Sequence, residues 1–353
     1  GRPSGLPRVP PSAMSTPGPT RPDPKLPIGL VASLIVVGVA SGFMWFPRWQ
    51  RSAADQRYLD KKAPKQNAVE GYTSSAACKA CHPQQYDSWY GSYHRSMTQL
   101  ATPDTVKADW NDVKLAFGDD VLRVFKKGDE FWVDTIDPVW EYQGRKERDE
   151  RGRIPHVERR VSMVTGSHHM QVFWVPTNIG NGLLTFPFTY LLEEKMWIPR
   201  RDAFLAAPEY DFHGQVWNTS CLQCHTTAGQ PHFDDKTVAS KTAELGISCE
   251  SCHGPAGAHV ASNQNPARRY LQHLASGNDA TIVNPGKLEH VAASQVCGQC
   301  HSISNWREIP GRQKILATGR TFKPGDDLEA TQPLVRPNHP GSKEFIMESE
   351  KEE

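Results

Sequence analysis

All eight cysteines of this 353-residue chain fall into four copies of one pattern, Cys-x-x-Cys-His. The copies are Cys78-Lys-Ala-Cys81-His82, Cys221-Leu-Gln-Cys224-His225, Cys249-Glu-Ser-Cys252-His253 and Cys297-Gly-Gln-Cys300-His301. Two thiols spaced by two residues can add to the two vinyl groups on one porphyrin edge, and the adjoining histidine is then placed beneath the ring to bind iron. The pattern therefore predicts four covalently bound haems c, attached through Cys78, Cys81, Cys221, Cys224, Cys249, Cys252, Cys297 and Cys300, with His82, His225, His253 and His301 as proximal iron ligands. A zinc ribbon also pairs such knuckles, but four thiolates complete its tetrahedron and leave the histidines unexplained. A disulfide scaffold is usually a small, cysteine-dense domain, unlike this long chain. Thioredoxin-like redox pairs need a strand before and a helix after each motif, which the flanking sequence lacks.

Haem attachment constrains location, because the thiols meet porphyrin outside the cytoplasmic membrane. Ile28 to Phe46 is a 19-residue run without a charged side chain. As a helix it would be about 28 Å long at ~1.5 Å per residue, close to the hydrocarbon thickness of a bilayer. Trp45 and Trp49 mark its outer end as interfacial residues would. Basic residues lie on both sides of the run, so the haem sites, not the charges, orient it with the C-terminal part in the periplasm or extracytoplasmic space. A cleaved signal peptide ending near Ala40-Ser41-Gly42 is the competing reading, yet the apolar run continues past that point. With 40 Lys+Arg against 39 Asp+Glu, no basic excess points to nucleic acid.

The expected organisation is a disordered Pro-rich tail over 1–27, an anchor over 28–46, a polar linker over 47–70, a tetrahaem domain over 71–328 and a charged tail over 329–353. Pro83 suits a helix start, and Tyr86, Trp89, Tyr90, Tyr93 and Met97 recur at helical spacing, with His94 on their face. Between the first two motifs, residues 121–125, 131–136, 156–164, 170–175 and 183–186 read as strands, with Lys127-Gly-Asp129 as a hairpin turn. The predicted fold class is mainly α, with a haem-packed core and loops, a small antiparallel β insertion at about 115–190 and a single N-terminal transmembrane helix.

With these motifs the chain resembles the multihaem cytochromes of the cytochrome c-554 type and their long relatives fused to helical repeats. The resemblance rests on Cys78-Lys-Ala-Cys-His-Pro with Trp89 and His94 behind it, Thr165-Gly-Ser-His-His-Met-Gln171, Phe186-Pro-Phe-Thr-Tyr-Leu191 and Trp197-Ile-Pro199. It continues through Trp217-Asn-Thr-Ser-Cys-Leu-Gln-Cys-His-Thr226, Cys249-Glu-Ser-Cys-His-Gly-Pro255 with His259, Val296-Cys-Gly-Gln-Cys-His-Ser302 and Phe322-Lys-Pro-Gly-Asp326. It implies electron transfer outside the membrane between redox partner proteins, often with bis-histidine iron. The long relatives carry further haem motifs beyond the last of these segments, whereas this chain ends in charged Glu348 to Glu353, as a fragment or a shortened member would.

Ten histidines remain after the four proximal ones. As sixth ligands the expected candidates are His94, His168 or His169, and His259, with His273 and His290 in reserve. The expected function is a membrane-anchored electron-transfer relay. The alternative is a multihaem oxidoreductase in which one open iron acts on a small nitrogen or sulfur compound, with Arg159, Arg160, Arg200 and Arg201 framing an anion site.

Overall fold

The computed structural model describes residues 53–118, 120–142, 154–203, 215–234, 236–275, 278–304 and 311–335. The chain divides after Ala54 into two units, and the strands and all four motifs belong to the second, Asp55–Glu353.

Strands dominate the first half of this unit. A five-stranded antiparallel sheet runs in the order β1-β6-β7-β8-β9, from β1 (Thr98–Leu100), β6 (Met163–Thr165), β7 (Met170–Pro176), β8 (Leu183–Leu191) and β9 (Met196–Pro199). A four-stranded antiparallel meander, β2-β3-β4-β5, comprises β2 (Val113–Phe117), β3 (Asp120–Lys127), β4 (Glu130–Ile136) and β5 (His156–Arg160). The β3–β4 hairpin turns at Gly128-Asp129 because Gly128 takes φ +64°, a conformation without cost only for a residue lacking Cβ. A two-stranded pair, β10 (Thr226–Thr227) and β11 (Glu244–Leu245), links the second motif to the approach of the third.

The fold is therefore not mainly α. Eleven strands in three sheets are present among the described residues, and most of the helices are one or two turns long. The reason is local: Cys-x-x-Cys-His needs a single helical turn, so four motifs imply four short turns and not a helical bundle. Side chains of both larger sheets meet in one apolar core. Leu115, Leu122, Val124, Phe131 and Val133 of the meander pack there with Val164, Phe173, Val175, Phe186 and Phe188 of the five-stranded sheet, around Trp110. The expected transmembrane helix at 28–46 lies outside the described residues; among those described, no helix is long and apolar enough to cross a membrane.

The period of two along a strand gives the five-stranded sheet a second apolar face. Phe173 and Val175 point to the shared core, whereas Val172 and Trp174 point the other way, where they join Met163, Leu183, Trp217 and Leu222. Trp217 and Leu222 flank Cys221, so this face seats the second motif. Residues 55–62 form a helix whose Leu59 is buried, and Arg160 of β5 ties to it through Asp55 at 3.1 Å while Tyr58 donates to the Arg160 carbonyl.

Candidate haem-binding site

Each motif occupies a helical turn. The first lies in and just after Ala76–Lys79, the second in Leu222–His225 with Cys221 as its cap, the third in Cys249–His253 and the fourth at the end of His290–His301. The His82 amide donates to the Cys78 carbonyl at 2.8 Å, and the His225 amide to that of Cys221 at 3.0 Å. On such a turn, positions i, i+3 and i+4 share one face, so both sulfurs and the imidazole are presented together.

Loop contacts then fix the turns relative to one another. Glu250, 2% exposed within the third motif, accepts from the Thr73 amide at 3.0 Å and the Ala256 amide at 2.7 Å. Burial pushes its carboxyl above the usual range, against the pull of those amides. Ahead of the same motif, the Ile247 amide donates to the His94 carbonyl at 2.9 Å, and Trp89 Nε1 donates to the Ile247 carbonyl at 2.7 Å. Gly246 makes this approach possible: at φ +73°, a Cβ there would lie 2.3 Å from the Arg95 carbonyl oxygen.

These contacts bring motif histidines opposite distant ones. The rings of His82 and His259 have centroids 6.3 Å apart with planes 24° apart, and those of His94 and His301 lie 6.2 Å apart with planes at 79°. Metal–imidazole bonds run about 2.0–2.1 Å and a ring nitrogen lies about 1.1 Å from its centroid, so two rings sharing one iron have centroids about 6.3 Å apart. Both pairs fit that separation, and both join a motif histidine to one outside any motif. Tyr93 and His168, by contrast, stack in direct contact at 4.0 Å, and His169 lies against His168 at 4.2 Å. Both of those histidines are exposed, and among the described residues neither ring meets a motif histidine.

The other ring nitrogen decides whether an imidazole is ready to bind metal through Nε2. His253 Nδ1 lies 2.8 Å from the Val283 carbonyl oxygen, and His259 Nδ1 lies 3.0 Å from Asp279 Oδ2. Each contact leaves Nε2 free to coordinate. Burial would raise the Asp279 carboxyl, but hydrogen bonds from Thr281, Asn263 and Gln272 outweigh it and hold the group well below the ordinary range. His225 Nδ1 is buried without a protein partner, and burial pushes that imidazole toward its neutral form.

The sulfurs show how the motifs neighbour each other, a relation that sequence order does not reveal. Cys78 neighbours Cys249, setting the first motif beside the third, and Cys224 neighbours Cys300, setting the second beside the fourth. Gln299 bridges the pairs, donating to the Ser251 carbonyl at 3.0 Å while its own carbonyl lies 3.9 Å from Cys224 Sγ. As a free thiol Cys224 is held down to about 6 by the Cys300 contact and, against burial, by Arg320, whereas burial pushes Cys221 up to about 12. Thioether sulfurs do not titrate, so for the finished protein the contacts matter and the acidities do not.

The four arginines do not converge on an anion site. Arg160 binds Glu130 at 2.6 Å and Asp55, Arg159 lies 3.8 Å from Asp137, Arg201 lies 3.5 Å from Asp202, and Arg200 donates to Gln215.

The family model described as cytochrome c554 and c-prime matches residues 77–118 and 205–254, stretches that contain the first three motifs. The chain is similar to the multihaem c-type cytochromes. No curated protein matches the chain. Among solved structures, the chain is similar to the outer cell wall cytochrome OcwA, at 16% identity and a TM-score of 0.45, over 75% of this chain and 45% of that one. It is also similar to the undecahaem cytochrome from the S-layer of Carboxydothermus ferrireducens, at 20% identity and a TM-score of 0.36, over 71% of this chain and 28% of that one. The chain thus spans less than half the length of either.

Proposed function

We propose that this cytochrome carries four haems and works as an electron-transfer relay outside the cytoplasmic membrane. The observation that carries the reading is the pair of histidine couples, His82 with His259 and His94 with His301, each at the separation of two ligands on one iron. Haem iron supplies a one-electron couple at each site. Two histidines on each of these two irons would keep the coordination unchanged between oxidation states, which favours conduction over substrate chemistry.

In this account Cys78, Cys81, Cys221, Cys224, Cys249, Cys252, Cys297 and Cys300 hold the porphyrins, and His82, His225, His253 and His301 are the proximal ligands. His259 and His94 would complete two of the irons. The Cys78–Cys249 and Cys224–Cys300 contacts support two couples, first with third and second with fourth, joined through Gln299. An electron entering at either couple would then have a short way to the other. The chemistry of haem attachment supports an extracytoplasmic location, and the uncharged run Ile28 to Phe46 supports a tether to the membrane.

Intact-mass analysis of the purified protein tests the count. Four haem additions are expected, and three would remove one motif from the account. A Cys221→Ala, Cys224→Ala double variant should lose one haem of the four; an unchanged haem absorbance per chain would contradict attachment there.

A further inference from the structure

The loop Asp279 to Val283 touches the Nδ1 atoms of two histidines and treats them differently. Its Val283 carbonyl, a neutral acceptor, lies 2.8 Å from His253 Nδ1, whereas its Asp279 carboxylate lies 3.0 Å from His259 Nδ1. The carboxylate is held in place. It also accepts from the Thr281 amide at 2.9 Å, from the Thr281 hydroxyl and from Asn263 Nδ2 at 3.1 Å. The nearest cation is Arg268, whose Nη2 stands 3.4 Å off on a side chain 40% exposed, so its neutralisation of the charge is screened by water. The Asp279 side chain itself is 14% exposed.

A carboxylate on Nδ1–H draws that proton toward itself and makes the imidazole a stronger donor through Nε2. A stronger donor stabilises ferric over ferrous iron, because the oxidised metal carries one more positive charge. A peptide carbonyl does the same more weakly. Resting on the assignment of His259 as the partner of His82, we propose that Asp279 is a positioning residue that lowers the reduction potential of the first-motif haem relative to the neighbouring third-motif haem. The first and third motifs touch through Cys78 and Cys249, so the loop imposes a potential difference across one contact. Electrons then favour the third motif over the first, which gives the relay a direction at this end.

The test is a spectropotentiometric titration of the full-length haem-loaded protein, with electron paramagnetic resonance on the same samples. Asp279→Asn keeps the size and one accepting oxygen but removes the charge. It should move one couple upward by at least tenfold in its reduction equilibrium, ~59 mV for one electron, with every low-spin signal retained. Asp279→Glu should return that couple most of the way. Thr281→Val, which takes one donor from the carboxylate and leaves it freer to pull on His259, should move the same couple downward, and it serves if the asparagine variant does not load haem. Unchanged potentials in either variant would overturn the proposal, as would a low-spin signal turning high-spin in Asp279→Asn, since the residue would then merely hold the ring. His259→Ala separates this from the ligand assignment: a new high-spin signal upholds His259 as a ligand, whereas an unaltered low-spin set removes that assignment and the proposal with it.

Discussion

Replacing His94 by alanine should convert one low-spin iron to high-spin and leave the rest low-spin, because its ring stands opposite His301 at ligand-pair separation. The ring planes add a finer expectation. Nearly parallel imidazoles split the iron dπ orbitals more than perpendicular ones, so His82–His259, at 24°, should give a rhombic signal. His94–His301, at 79°, should give a single large-g feature, and that feature is the one the His94→Ala spectrum should lack. Gly246→Ala would do related damage from a distance. Its Cβ would meet the Arg95 carbonyl at 2.3 Å, so the turn carrying His94 must shift, and the same large-g signal should weaken while haem content per chain holds. At this scale the sequence was informative about residue type and poor about pairing. Every proximal histidine could be read from its motif, and His94 stood out behind the first motif on an aromatic helical face. That it faces the ring of His301, more than 200 residues away, depends on the approach of Ile247 to the His94 turn, which no local pattern encodes. For His168 and His169 the sequence offered only adjacency, and the fold stacks His168 on Tyr93.

Elements show a sharper division between what local pattern can and cannot specify. Strands β3, β4 and β7 were legible from alternation and from the Gly128 turn, but their extent was underestimated, since β8 is buried almost throughout and so lacks a polar face to mark it. The preference for helix came from the motifs, each of which needs only one turn. Leu122, fully buried where the two sheets meet, offers a test of their independence from haem: Leu122→Ala should cost about 2–5 kcal/mol of stability, read as a lower denaturant midpoint, with haem absorbance per chain unchanged. Trp217→Ala, on the sheet face that seats Cys221, should reduce loading at the second motif as well. The helix at 55–62 carries a pH dependence of its own. Burial raises Tyr58 to about 12, partly opposed by Arg160. A raised folded-state pKa means that the contribution is complete below the unfolded value near 10 and is lost as pH rises through the folded value. The denaturant midpoint should therefore fall between about pH 10 and 12, and Tyr58→Phe should reduce that fall.

For the molecule as a whole, two antiparallel sheets share one apolar core, the other face of the five-stranded sheet seats the second motif, and four helical turns present sulfurs and histidines. The order of motifs along the chain does not give their neighbours in space, where Cys78 lies beside Cys249 and Cys224 beside Cys300. Low-temperature electron paramagnetic resonance on the oxidised protein, followed by reduction and exposure to carbon monoxide in the visible spectrum, tests the relay most directly. The account predicts low-spin signals alone and no carbon monoxide shift, as six-coordinate irons require. A high-spin signal that binds carbon monoxide would contradict it and point instead to an iron open to substrate.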